Sequence, residues 1–223
     1  MTFSVCLTDG RIHGVASATH APAVGALGPF LTPDGVLCTQ SIVNVSLGSR
    51  AARKLANGDR LDETINTLLD VDPAAEKRQV HGIDQNGRTV THTGDECIEW
   101  CGHKHGDGYT LAGNMLVGPS VLEAMDDAIE TTSTESIVDR LLAILKSGVD
   151  AGGDKRGGHP QSAALKVYHP DTPRLTHDLR VDEHDTAVDE LHRLVAVTRN
   201  IDKKWRKKYP ETVYQRYPEN YSE

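Results

Sequence analysis

The chain has 223 residues, 38% hydrophobic and 25% charged, which fits a folded soluble core and excludes wholesale disorder. Its 24 Lys and Arg stand against 32 Asp and Glu, a formal charge of −8 that argues against a general nucleic-acid or anionic-membrane binder. Aromatic residues are only 4% of the chain, too few for base-stacking platforms, and no run approaches the ~20 apolar residues of a membrane span.

Residues 2–8 are β-branched and apolar with weak alternation, and Asp9-Gly10 signals a two-residue hairpin. The run from Ile12 to Ala18 reads as the return strand, so a strand begins at Thr2 itself. Residues 21–33, rich in Ala, Gly and Pro, read as a loop, and Val36 to Gln40 as a short strand. Two helices are expected over Arg50–Ala56 and Leu61–Leu69, separated by Asn57-Gly58. A second hairpin follows, with strands Gln79–Asp84 and Arg88–His92 around Asn86-Gly87.

Gly108 to Leu116 reads as a strand, and Pro119 stands near the first turn of a helix striped by Val121, Leu122, Met125, Ala128 and Ile129. Thr132 and Glu135 have capping-box spacing before a helix carrying Ile137, Val138, Leu141, Leu142 and Leu145. That helix stops in Ala151-Gly152-Gly153, and Ser162 to Tyr168 reads as a strand. Asp185 is placed to cap a last helix bearing Val188, Leu191 and Val195. Hairpins dominate, so the expected class is a layered α+β sandwich of mainly antiparallel sheets.

After position 198 the composition shifts, and residues 199–223 read as a basic, aromatic extension on a domain spanning 1–198. It contains Lys203-Lys204-Trp205-Arg206-Lys207-Lys208, and four of the six tyrosines lie beyond position 208. Two readings stand, an arm for an acidic partner and a solvated segment that packs on a neighbouring subunit.

Four constellations can carry chemistry. Thr2 follows Met1, and cellular aminopeptidases generally trim Met before a small residue. Trimming gives Thr2 a free α-amine of reference pKa ~7.7–8.0, partly neutral at physiological pH and able to take the proton of the adjacent hydroxyl. A retained Met1 blocks this, and Thr2 is then simply the first residue of a strand. The second is Cys97-Ile98-Glu99-Trp100-Cys101-Gly102-His103-Lys104-His105. If extended, it lines Cys97, Glu99, Cys101, His103 and His105 along one face, a zinc possibility despite its atypical spacing.

Asn114, at a strand end in Ala112-Gly113-Asn114-Met115, either donates its amide to an oxyanion or caps a turn. The loop Gly152-Gly153-Asp154-Lys155-Arg156-Gly157-Gly158 is neither a Walker nor a Rossmann loop. Its Asp154 and Arg156 either clamp a polar substrate or form a solvated turn.

In order along residues 2–197, these stretches resemble the family catalogued as domain of unknown function 1028, grouped with the N-terminal nucleophile hydrolases. The matching residues begin with Thr2-Phe3-Ser4, Val15-Ala16-Ser17, Ala23-Val24-Gly25-Ala26 and Thr39-Gln40 with Asn44 and Gly48. They continue with Thr93-Gly94, Cys97, Trp100, Gly102-His103, Gly113-Asn114-Met115-Leu116 and Gly118. The last are Gly152-Gly153-Asp154, Arg156-Gly157, Gln161-Ser162-Ala163-Ala164-Leu165 and Asp178-Leu179-Arg180-Val181-Asp182. Cys101, where small Ala is common, and His159-Pro160 depart from the pattern.

The resemblance implies a four-layer αββα sandwich and an amidohydrolase with Thr2 as nucleophile and Asn114 at the oxyanion. Ser17, Gln40, Asn44, His103 and Ser162 then orient the amine or line the site, while Asp154 and Arg156 grip a charged end of a small polar substrate. No metal or organic cofactor is called for. The alternatives are a non-catalytic small-ligand-binding sandwich and a zinc-dependent site around Cys97 to His105.

The expected partners are a small-molecule substrate and further copies of the chain in a homo-oligomer, with neither nucleic acid nor membrane. MTFSVCLTDG lacks the basic start of a secretory signal, and four cysteines are too few for a disulfide scaffold. A reduced, cytoplasmic setting is the corresponding expectation.

Overall fold

The fold is a computed structural model that describes residues 1–170 and 177–209. Its first hairpin joins β1 (Thr2–Asp9) to β2 (Ile12–Thr19). Asp9 pairs with Ile12, so the turn is Gly10-Arg11, one residue later than expected, with Gly10 at a φ of 60°. Residues 21–33 are not all loop. They hold a one-turn helix α1 (Val24–Leu27) and a short edge strand β3 (Pro29–Thr32), which opens on a proline.

β3 pairs with β4 (Gly35–Ser41). Helix α2 (Val45–Leu55) starts five residues before the predicted Arg50, because the Asn44 side chain accepts a 3.0 Å hydrogen bond from the Leu47 N–H and caps it. Helix α3 (Leu61–Asp70) and the hairpin β5 (Arg78–Asp84) and β6 (Thr89–Thr93) follow nearly as read.

The Cys97–His105 segment is not one extended strand. Only β7 (Gly102–Gly106) is a strand, and it pairs with β8 (Tyr109–Asn114). Helix α4 (Ser120–Thr131) leads to α5 (Ile137–Asp150), whose cap is Ser136 rather than the Thr132–Glu135 box. The Ser136 hydroxyl accepts from the Asp139 N–H at 3.3 Å. β9 (Ser162–Tyr168) falls where read, and it pairs with β10 (His177–Val181), a strand not predicted. Helix α6 (Ala187–Lys208) begins after Thr186, not at a side-chain cap from Asp185, and runs past position 199 without a break. Residues 210–223, with Tyr214, Tyr217 and Tyr221, lie outside the described residues.

The protein is α+β, with two antiparallel sheets ordered β10-β9-β2-β1-β8-β7 and β3-β4-β5-β6. β1 is buried on both faces, which explains its weak alternation. Phe3, Val5 and Leu7 join Leu122, Met125, Leu141 and Leu145 in the core under α4, α5 and α6. Cys6 and Val15 meet Val36, Cys38 and Ile83 of the other sheet. That second sheet turns Leu37, Val80 and Val90 toward Leu47, Ala51, Leu55 and Ile65 of α2 and α3. Among the described residues no helix is long and apolar enough to cross a membrane.

Gly48 of α2 lets the helix lie directly on the Phe30 ring. A Cβ there would stand 2.2 Å from a ring carbon. The half-buried ring packs against the core between the second sheet and α2, so making room for a Cβ shifts that packing. Gly48→Ala is therefore expected to destabilise the fold by about 1–3 kcal/mol despite the better helix propensity of Ala, measured as a lower midpoint in urea unfolding.

Candidate functional site

The register of the first hairpin places Thr2 opposite Thr19, and that of β1 with β8 places Thr2 opposite Asn114. Directly paired residues share a sheet face, so Thr2, Thr19 and Asn114 look the same way, toward the second sheet. The Thr2 and Thr19 hydroxyls are 2.9 Å apart. Thr19 also donates a short hydrogen bond to the Met1 carbonyl, which commits its single hydrogen. Thr2 must then donate to Thr19. The His20 N–H reaches the same Met1 carbonyl at 3.3 Å.

Met1 is buried, 6% exposed, with its side chain in the core. Its α-amine lies 3.3 Å from the Met115 sulfur. Burial, reinforced by the nearby Arg156 guanidinium, lowers the pKa of that amine, while Asp154 opposes the shift. Asp154 is fully buried and receives the Arg156 side chain through Nη2 at 2.6 Å and Nε at 3.0 Å. Against the upward push of its own burial, these bonds hold the Asp154 carboxyl below the usual range. The loop is registered to β8 by Lys155 N–H to Met115 carbonyl at 3.0 Å. Asp154 and Arg156 are therefore close enough to the Met1 amine to act on its charge.

A cavity of about 120 Å³ opens beside Thr2. Thr2, Thr19, Gln40 and Ser41 give it polar walls, Val24 and Leu27 apolar ones, and no charged residue lines it.

Behind it lies a chain of buried side chains between the sheets. The Gln79 amide nitrogen donates to the Gly113 carbonyl at 2.8 Å and the Gly102 carbonyl at 3.0 Å. Carbonyls only accept, so the Gln79 oxygen must face the other way, where it accepts from Gln40 Nε2 at 2.7 Å and Asn114 Nδ2 at 3.0 Å. Gln40 thereby turns its own oxygen to Ser4, which donates at 2.7 Å. Ser4, its hydrogen spent, accepts from His81 Nε2 at 2.7 Å, and His81 Nδ1 accepts from the Thr110 hydroxyl at 2.8 Å. These two backbone carbonyls thus set every orientation, down to the His81 tautomer.

The remaining expected site residues are placed elsewhere. Asn44 caps α2 and bonds Asp72 at 2.8 Å, so it does not orient an amine at Thr2. Ser162 bridges the Ala21 carbonyl at 2.6 Å and the Val24 N–H at 3.0 Å, which holds the cavity's α1 wall rather than facing substrate. Ser17 is buried opposite Ser4, and its hydroxyl has no partner among the described residues. His103 bonds Thr93 at 2.9 Å on β7, away from Thr2, and burial followed by His105 and His92 lowers its pKa.

Cys97 and Cys101 donate to the Arg78 and Cys97 carbonyls, and among the described residues no group of three or more His, Cys, Asp or Glu is arranged to hold a metal ion. The segment breaks before β7 instead of presenting one face of ligands.

Sequence reasoning missed Thr19, Ser4, Gln79, His81 and Thr110. Counting from the expected Asp9-Gly10 turn pairs Thr2 with Ser17, and only the one-residue shift of the turn to Gly10-Arg11 brings Thr19 opposite Thr2. Gln79, His81 and Thr110 carry no local signal, since their partners lie on the other sheet.

The fold is an α+β protein of two antiparallel sheets with a polar seam ending at the first strand's terminus. The chain matches the model described as "Family of unknown function (DUF1028)" over residues 2–191 and belongs to that family. The crystal structure of protein SPO2555 from Silicibacter pomeroyi, assigned to the same family, is similar at 30% identity and a TM-score of 0.79. The match covers 87% of this chain and 84% of that one. No curated protein matches the chain.

His81 gives a pH test of the seam. Complete burial drives its pKa from the ordinary 6.5 down to about 3. As pH falls through that window the unfolded chain binds a proton that the folded one refuses, so stability falls, and above it His81 adds no pH dependence. Urea midpoints are expected to drop from pH 7 to pH 5, and the drop should be smaller in His81→Gln.

Proposed function

We propose that the protein is an N-terminal nucleophile amidohydrolase, acting on an amide of a small polar molecule after removal of Met1, on a four-layer αββα sandwich. The observation that carries this reading is the setting of Thr2. It starts a central strand, its hydroxyl is held by Thr19, and it lines a cavity closed on its other sides by uncharged groups.

In the proposed reaction the Thr2 hydroxyl attacks the amide carbon and its own α-amine takes the proton. The amine then passes the proton to the departing nitrogen, leaving an ester on Thr2 that water hydrolyses. Asn114, one amide hydrogen committed to Gln79, keeps the other for a polar group of the substrate on the β8 side. An uncharged acyl group suits the cavity. The Asp154–Arg156 pair lies where Met1 sits, and Arg156, nearly half exposed, can meet an anionic end of the substrate.

The test has two parts. Mass spectrometry of protein made in cells is expected to show a chain starting at Thr2. An electrophilic acyl probe is then expected to add to Thr2, with Thr2→Ala abolishing both labelling and amide turnover at an unchanged melting temperature, while Thr2→Ser keeps labelling. Retained Met1 together with an unlabelled Thr2 sinks the hydrolase and leaves a non-catalytic ligand-binding sandwich.

A further inference from the structure

We infer that Thr19 and the His20 backbone N–H form the pair of oxyanion donors, on the β2 side of Thr2; this assignment rests on the hydrolase reading above. Both groups are aimed at one acceptor, the Met1 carbonyl oxygen. That carbonyl belongs to an acyl group carried by the Thr2 nitrogen. In the acyl-enzyme the substrate's acyl group is carried by the Thr2 hydroxyl oxygen instead.

The two attachments are close in covalent terms. An acyl carbon joined to either atom closes, with N, Cα, Cβ and Oγ1 of Thr2, a five-membered ring. The carbonyl held in this structure therefore marks the neighbourhood that a substrate carbonyl enters. Removal of Met1 takes away the acceptor and leaves both donors in place. Thr19 is 6% exposed and fixed in register by pairing with Thr2 on one side and Ser162 on the other. A buried hydroxyl and an N–H deprived of their acceptor are costly, and an incoming oxyanion restores both bonds. The same hydroxyl accepts from Thr2, so one residue steers the attacker and meets the charge that the attack creates.

The electron balance is ordinary. As the Thr2 oxygen bonds to the carbonyl carbon, the carbonyl π pair moves onto its oxygen, where Thr19 and His20 donate. The hydroxyl proton moves to the α-amine. On collapse the pair returns, the bond to the leaving nitrogen breaks, and that nitrogen takes the proton.

A β-lactone probe reports this step, because ring opening adds the whole probe to Thr2 and the ring oxygen leaves as a hydroxyl. Labelling of trimmed protein is followed by intact mass over time. Thr19→Val, close in shape but without the hydroxyl, is expected to slow labelling by ~10²–10³-fold, the usual loss on deleting one oxyanion donor. Thr19→Ser is expected to label close to the wild-type rate. Should the Val variant not fold, Thr19→Ala against Thr19→Ser makes the same comparison, since that pair differs only in the hydroxyl.

Wild-type labelling at Thr2 with an unslowed Val or Ala variant overturns the assignment and leaves the hydrolase standing. A Ser variant as slow as Val at an unchanged melting temperature also overturns it, because the hydroxyl is then not the determinant. An unlabelled wild-type protein overturns the hydrolase reading and this assignment with it.

Discussion

The interface between the two sheets depends on a single directional constraint, the Gln79 amide bound to the carbonyls of Gly113 and Gly102. Amide groups have a donor end and an acceptor end, and a backbone carbonyl admits only the donor end. From that one choice follow the orientations of Gln40, Ser4, His81 and Thr110 in turn. The sign of the energetics makes the chain cooperative. Each satisfied bond contributes about 1 kcal/mol, whereas a partner left bare in the interior costs about 1–3 kcal/mol. Deleting any one member strands its neighbour, so the seam is kept whole or replaced whole.

That seam also explains why a polar, cavity-bearing end exists at the start of β1. Along the face of β1 toward the second sheet, Ser4 and Cys6 are sealed by Gln40, His81 and Cys38, and only Thr2 reaches the open end. Asn114, opposite Thr2, belongs to both regions, tied by one bond to Gln79. The seam is electrically neutral because His81 is held unprotonated by burial. The charges near the terminus come instead from the 154–156 loop, where a buried carboxylate and its own near neighbour Arg156 offset one another. A proposed nucleophile at Thr2 thus sits between a neutral interior and a charged loop.

Several residues named from sequence alone have roles that their local context could not separate. Asn44 and Asn114 are both asparagines at element ends. One caps α2 and the other joins the inter-sheet seam, and the difference is whether a second sheet lies across from the side chain. Ser162 opens β9 as read, but its hydroxyl stitches the Ala21–Val24 backbone instead of facing the cavity. Alternation in the Cys97–His105 run places side chains on a common face only where the backbone is extended, and here that begins at Gly102. Gly48 stood in a motif without an evident reason; the reason is the Phe30 ring, eighteen positions earlier on β3.

Local geometry is written in neighbouring residues. Tight turns near Gly10 and Gly87, period-2 and period-3.6 patterns, and a Thr at position 2 opening a strand are all set by neighbours within a few residues, and so are the antiparallel hairpins, though not the one-residue register that brings Thr19 opposite Thr2. The assembled fold alone sets β8 beside β1, brings Gln79 and His81 to residues of the other sheet, and carries the 154–156 loop near the Met1 amine. Those contacts join positions dozens of residues apart. Their stabilisation comes from excluding water from matched polar groups, which no local pattern encodes.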